Sequence, residues 1–321
     1  MMDDMDELDL PLGAGLHRQA SVGFSDDRTP VKHRLLFNLA GMIIGSAPYV
    51  ATQWALHHPP CCCSGHLIVD LTAGDGVGDG INTWWRGSSP AIFAKLASQN
   101  KRVRVHLYEK DKAAFQALFT NLVAMLPIIG FVQVSETSWI NPVMESHIDA
   151  TFGDARELEN FEMRPYEFLF INDDPNNMHG LVLDLERLQE VIAIPQGGGP
   201  RFVTFMTTMG CNAGGLKMLL PKHRQWWFTH IEQAIAIVRR HSRLDLWLFE
   251  IVGDSAQWAY LMLAPKKWSG DKIKRYCSEF TKQELQVAAH SWHYSQVGFV
   301  EAINRLFYSK QERADGAVWK I

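Results

Sequence analysis

His66–Gly80 reads HLIVDLTAGDGVGDG, an apolar, β-branched run that ends in a carboxylate and passes into a loop with glycine at 74, 76, 78 and 80. The run is short and bounded by Gly65 and Gly74, which predicts a buried parallel strand. Glycines directly after such a strand let the backbone approach a ligand closely, and their spacing restricts which ligand. The dinucleotide fingerprint G-x-G-x-x-G needs a further glycine where Asp79 stands, counted from Gly74 and Gly76, or where Ile81 stands, counted from Gly76 and Gly78. A phosphate-cradling loop ends in Gly-Lys-Ser or Gly-Lys-Thr, and neither occurs in the chain. Asp75, inside the loop, repels pyrophosphate but tolerates a ligand that carries positive charge.

Outward from this loop, strands and helices alternate. Pro30–His58 has a helical rhythm, with Leu35, Leu36, Leu39, Met42 and Ile43 on one face. Pro90–Gln99 reads as a helix opened by Ser89 and Pro90. Val103–Tyr108 is a strand and Lys112–Met125 a helix, followed by an ambiguous segment around Ile129–Val134. Further strands are expected at Ile148–Thr151, Glu167–Ile171 and Phe202–Met206, with helices at Leu183–Val191 and Arg224–His241. Leu244–Ile251 and Trp258–Leu263 lie too close for a crossover helix, so they form an antiparallel hairpin. The pattern predicts an α/β fold, a Rossmann-like, doubly wound, mostly parallel seven-stranded sheet closed by that C-terminal hairpin. Residues 30–265 form the main domain, behind a disordered acidic tail over 1–29 and ahead of a helical, basic and aromatic extension over 266–321. In that extension Lys282–Ala289 and Val300–Leu306 read as helices.

DLTAGDG, Asp70–Gly76, resembles the first motif of class I S-adenosyl-L-methionine (SAM) methyltransferases, in the D-x-F-A-G-x-G form of nucleic-acid base methyltransferases and of the three-Cys-motif partner proteins. Thr72 stands where that form has an aromatic residue. RGSSPAIFAKLA, Arg86–Ala97, is similar to the helix start of the three-Cys-motif partners, and the resemblance runs in outline from Lys32 to Lys266. It implies SAM as cofactor, held by the glycine loop (Asp70, Thr72, Ala73, Gly74, Asp75, Gly76) and by Glu109 with Lys110, the acid that meets the ribose at the end of the second strand. Asp154 and Ala155 after the third strand would meet the adenine, and Asn172 closes the set.

FLFINDDPNNMHG, Phe168–Gly180, occupies the place where amino methyltransferases carry [DNS]-P-P-[YFW]. Asp174 and Pro175 match, while Asn176 and Asn177 replace the second proline and the aromatic. The resemblance therefore implies a catalytic set of Asp174, the Pro175 carbonyl and Asn176 acting on a base amino group such as adenine N6. It equally leaves open a SAM-binding sensor or partner protein without methyl transfer of its own. Cytosine C5 chemistry needs a Pro-Cys after the fourth strand, and the Pro60–Cys61 pair precedes the first.

Composition sets the remaining expectations. Hydrophobic residues make up 47% of 321, enough for a large core, and the net charge of −4 argues against a chain coated with nucleic-acid-binding charge but leaves local patches open. The richest is PKKWSGDKIKR, Pro265–Arg275, with five bases against one acid. Aromatic clusters at Trp84–Trp85, Trp226–Phe228 and Trp292–Tyr294 offer stacking surfaces for bases. Nucleic acid, DNA or RNA, is the expected partner, with a protein partner as the alternative. The five cysteines lack the paired spacing of a zinc site, and their odd number suits a reducing, cytoplasmic setting. No secretory leader or membrane partner is read.

Overall fold

The computed structural model describes residues 33, 35–45, 65–74, 88–155, 168–174, 202–209, 215–241, 244–252, 257–266 and 288–320. In chain order these form α1 (Leu35–Gly45), β1 (His66–Asp70), α2 (Ser89–Gln99), β2 (Val103–Glu109), α3 (Lys112–Met125), β3 (Val132–Ser135), β4 (Ser138–Asn141), β5 (Ser146–Phe152), β6 (Phe168–Asp173) and β7 (Phe202–Met209). There follow α4 (Pro221–Arg240), β8 (Leu244–Val252), β9 (Gln257–Pro265), β10 (Ala288–His293), α5 (Val297–Phe307) and α6 (Lys310–Ala314). The stretch expected as the helix Leu183–Val191 lies outside the described residues.

All the strands belong to one sheet in the order β10-β8-β9-β7-β6-β1-β2-β5-β4-β3. The centre, β7-β6-β1-β2-β5, is parallel, and β1 and β6 lie side by side with His66 opposite Phe168 and Asp70 opposite Asn172. From β1 the chain proceeds outward to β2 and β5; from β6 it proceeds the other way to β7. The strand order thus reverses between β1 and β6, the crevice position where open α/β sheets take their ligands.

Three expectations need correction. Among the described residues the sheet has ten strands where seven were expected. The hairpin β8–β9 exists, paired from Leu244 with Pro265 to Val252 with Gln257, but it does not close an edge, because β10 pairs antiparallel outside β8. On the other side β4 and β3 extend the sheet beyond β5. Ala288 and Ala289, expected at the end of a helix, are the first residues of β10. Hydrogen bonding to the open side of β8 overrides the helix preference of alanine there. β3 and β4 span four residues each, too few for a period-two pattern to stand out.

Alternating side chains send the sheet's two faces into two cores. Ile68, Val105, Phe170 and Met262 pack with Leu39, Phe93 and Leu118 of α1, α2 and α3. Leu67, Val69, Phe205 and Leu248 pack with Trp227 and Ile231 of α4, and with Phe299 and Phe307 of α5. Each of these large side chains contributes about 1.5–3 kcal/mol by leaving water. The C-terminal residues thereby complete both a sheet edge and a core layer. Asp111 starts α3 by accepting from the N–H groups of Ala113 and Ala114 at 2.9 and 2.8 Å, which orients that helix directly behind Glu109. Lys112–Ile129, α3 with the turn after it, is long and apolar enough to cross a membrane by length and composition; here Leu118 and Leu122 of α3 are buried against the sheet.

Candidate functional site at the carboxyl edge of the sheet

The carboxyl ends of β1, β2 and β6 bring together Asp70, Thr72, Ala73, Gly74, Glu109, Asn172 and Asp174, which the sequence spreads over more than a hundred positions. Backbone bonds fix the loop to its neighbours. The Leu71 N–H donates to the Asn172 carbonyl at 3.0 Å and the Ala73 N–H to the Tyr108 carbonyl at 2.9 Å. Gly74 has φ +64, and among the described residues nothing lies within 4 Å of the place a Cβ would take. The chain turns there in a conformation glycine adopts without strain.

Glu109 braces the loop. Its Oε2 accepts from the Gly74 N–H and its Oε1 from the Asp111 N–H, both at 2.8 Å. Each oxygen keeps a second lone pair for a ligand hydroxyl. Lys110 follows as an exposed residue. The turn after β5 is latched to the same point, since the Gly153 N–H donates to the Glu109 carbonyl at 3.0 Å. Asp154 is half-buried on that turn, and Ala155 is buried in the core beneath it.

The β1–β6 crevice is polar and buried, with Asp70 0% and Asn172 1% exposed. Asp70 Oδ1 accepts from the Asn172 amide at 3.0 Å and, at 3.4 Å, from the Thr72 N–H. Among the described residues Asp70 Oδ2 and Asn172 Oδ1 have no partner within hydrogen-bond distance. Burial holds the Asp70 carboxyl at about 6 instead of 3.8; the Ser89 hydroxyl, the Asn172 amide and the Thr72 N–H pull it down, and the Asp174 charge pushes it up. Thr72 has a use of its own: its hydroxyl accepts from the Asp174 N–H at 2.9 Å, tying the glycine loop to the segment after β6. An aromatic residue at 72 could not make that bond.

Sequence reasoning missed two contributors. Ser89, at the start of α2, acts on Asp70. Tyr260 of β9, 1% exposed and paired with Thr208 of β7, has its phenol pushed well above the ordinary range by burial and then by the Asp174 charge. Only the strand register reveals Tyr260, because β9 is inserted antiparallel between β7 and β8.

Several expected features fall elsewhere. Trp227 and Phe228 are core residues, 2% and 4% exposed, and Phe228 stacks on Trp319; the start of α4 offers them no base to stack on, because they fill the layer under α5. Trp292 is half-buried, its indole N–H donating to Glu250 at 3.1 Å. Pro265, where the basic stretch begins, pairs with Leu244, the first residue of β8, at the edge opposite the crevice, and residues 267–275 lie outside the described residues. Asp75, Gly76, Pro175, Asn176, Trp84, Trp85 and Cys61–Cys63 lie outside the described residues. Among the described residues no group of three or more His, Cys, Asp or Glu could hold a metal ion.

No protein-family model matches the chain, and no curated protein matches it either. Among solved structures it is similar to an O-methyltransferase from Bacillus cereus in complex with SAH, with 13% identity, TM-score 0.37, and coverage of 76% of this chain and 94% of that one. An rRNA methylase from Streptococcus thermophilus shares 12% identity at TM-score 0.35, over 68% of this chain and 96% of that one. A human methyltransferase 10 domain containing protein shares 10% identity at TM-score 0.35, over 74% and 83%. Likenesses this distant do not define the chemistry, which the chain's own residues have to carry.

Proposed function

We propose that the carboxyl edge of β1, β2 and β6 binds S-adenosyl-L-methionine and that the chain transfers its methyl group to an amino group of a nucleic-acid base. The carrying observation is the character of the crevice. It offers buried acceptors, Asp70 Oδ2 and Asn172 Oδ1, and the carboxylates of Glu109 and Asp174 beside a glycine in the left-handed conformation. Such a site rejects phosphate and favours a ligand that brings hydroxyl and ammonium donors together with positive charge. When bound, SAM supplies an electrophilic methyl group on its sulfonium.

The chain's residues divide the work. Glu109, already set by two backbone N–H groups, accepts the ribose hydroxyls, and Asp154 receives the adenine amino group. Asp70 and Asn172 hold the loop and favour the ligand's cationic end. Asp174, with the Pro175 carbonyl and Asn176, accepts hydrogen bonds from the target amine and so orients its lone pair toward the methyl carbon. The rate gain comes from that positioning. Asn176 and Asn177, in place of proline and an aromatic, favour a second reading, a SAM-binding sensor or partner protein. Incubation with methyl-labelled SAM and separate DNA and RNA pools decides between them. Label in one pool supports the enzyme; saturable SAM binding with label in neither supports the sensor.

A further inference from the structure

On the half of the sheet that runs from β7 to β10 a second charged feature stands apart from the crevice. Arg224 of α4 joins two segments: its Nη2 donates to the Lys217 carbonyl at 2.8 Å, and its Nη1 meets Glu312 of α6 at 2.6 Å. One guanidinium therefore draws the turn Gly215–Met218 and helix α6 together, and Arg224 also lies over the Tyr308 ring at 5.4 Å. Ser309 and Glu312 form a capping box that fixes α6 in this place.

The carboxylates here are already taken. Glu312 is bonded to Arg224 and to the Ser309 N–H. Glu250 of β8, fully buried, accepts from Arg305 Nε at 3.1 Å, Arg305 Nη2 at 2.7 Å and the Trp292 indole. Three cations are left over. Among the described residues Lys217, Lys310 and Arg313 have no ion pair, and both Lys310 and Arg313 are close enough to Lys217 to oppose its charge, as Glu250 is to favour it. β8 runs parallel to β7, since both are antiparallel to β9. Glu250, near the last residue of β8, therefore marks the carboxyl edge, the same edge as Asp174. Keeping like charges together on a rigid frame has a cost, which a polyanion would offset.

We propose that Lys217, Lys310 and Arg313 form a cationic shelf on the acceptor side of the carboxyl edge, and that it grips the phosphate backbone of a nucleic-acid strand. The proposal rests on the nucleic-acid acceptor argued above and replaces, as the surface that holds it, the basic stretch whose first residue, Pro265, lies at the opposite edge. Phosphate contacts position a strand without reading its sequence, so the shelf sets where the target base enters and leaves base choice to Asp174 and its neighbours.

Fluorescence anisotropy of single-stranded DNA and RNA oligonucleotides over a salt series, on the full chain with Lys217→Ala, Lys310→Ala and Arg313→Ala combined, tests it. The expected result is salt-sensitive binding by the unaltered protein, weakened at least about tenfold in the variant. The slope of log affinity against log salt should fall by about 2, from three lost phosphate contacts on a single strand. The same positions changed to Lys217→Arg, Lys310→Arg and Arg313→Lys should restore binding, and Lys101→Ala, at the far edge, should leave it unchanged. Unchanged affinity and slope in the triple variant, or binding of heparin without binding of either oligonucleotide, overturns the shelf. Calorimetry of SAM on the same samples keeps the readings apart: oligonucleotide binding that depends on the shelf in a chain that does not bind SAM leaves the shelf standing and removes the cofactor.

Discussion

Asp70→Asn separates the strain at the crevice from its use. The Asp70 carboxyl is fully buried and held at about 6 rather than 3.8, chiefly by burial. A rise of about two units corresponds to about 3 kcal/mol of stability missing once the group ionises. Below 3.8 folded and unfolded chains both carry it protonated, so the favourable state is fully present; it is lost as pH rises through about 6. Asp70→Asn keeps an oxygen for the Asn172 amide and the Thr72 N–H and places an NH2 where Oδ2 has no partner. With about 1–3 kcal/mol charged against that unmatched NH2, the variant should be more stable than the parent above pH 7, by anything up to about 2 kcal/mol. It should show no gain, or a loss, near pH 4. Urea unfolding of both proteins at about pH 4, 6 and 8 reads the difference directly. A difference that is the same at every pH would refute the reasoning, as would a variant less stable at pH 8 than at pH 4 relative to its parent. SAM affinity should fall in the same variant, so that stability and binding move in opposite directions.

Other outcomes follow from single contacts. Gly74→Ala should cost about 1–2 kcal/mol, the strain of φ +64 on an L residue, and no more, because nothing lies within 4 Å of the new Cβ; thermal denaturation checks it. Gly298→Ala should cost about 1–3 kcal/mol by the same measurement, since its Cβ would stand 2.3 Å from the Trp292 ring. Glu250→Ala leaves Arg305 without its buried carboxylate and should cost about 3–5 kcal/mol in denaturant unfolding, whereas Arg305→Met combined with Glu250→Leu should recover most of it.

The centre of the fold is legible in the chain because β1 and β6 are short apolar runs that end at polar residues and β2 alternates Val103, Val105 and Leu107 with polar residues up to Glu109, so that Glu109 and Asp174 lie where the strands stop. The edges are not legible. β3 and β4 are too short for their pattern to register, and β10 gains its strand state from the open side of β8, a partner some forty residues away. Trp226–Phe228 looks like a stacking platform in sequence because aromatic rings serve cores and bases alike, and only the packing of Phe307 and Trp319 on Phe228 distinguishes the two. Thr72 reads as a departure from a motif, yet its hydroxyl makes the bond that joins the glycine loop to Asp174. The basic run after Pro265 is conspicuous in sequence, but strand direction places its start at the wrong edge; the shelf is assembled from three separate positions and has no linear signature.

The central claim is that the β1–β2–β6 crevice holds an adenosyl ligand carrying positive charge. Isothermal titration calorimetry of SAM against the purified chain, beside Glu109→Ala, NADH and ATP, tests it most directly. The account predicts saturable binding of SAM, weakened at least about tenfold in Glu109→Ala, where a charge-assisted contact worth about 1.5–3 kcal/mol is lost, and no binding of either phosphate-bearing ligand. SAM binding that is absent in a folded protein, or unchanged by Glu109→Ala, contradicts it.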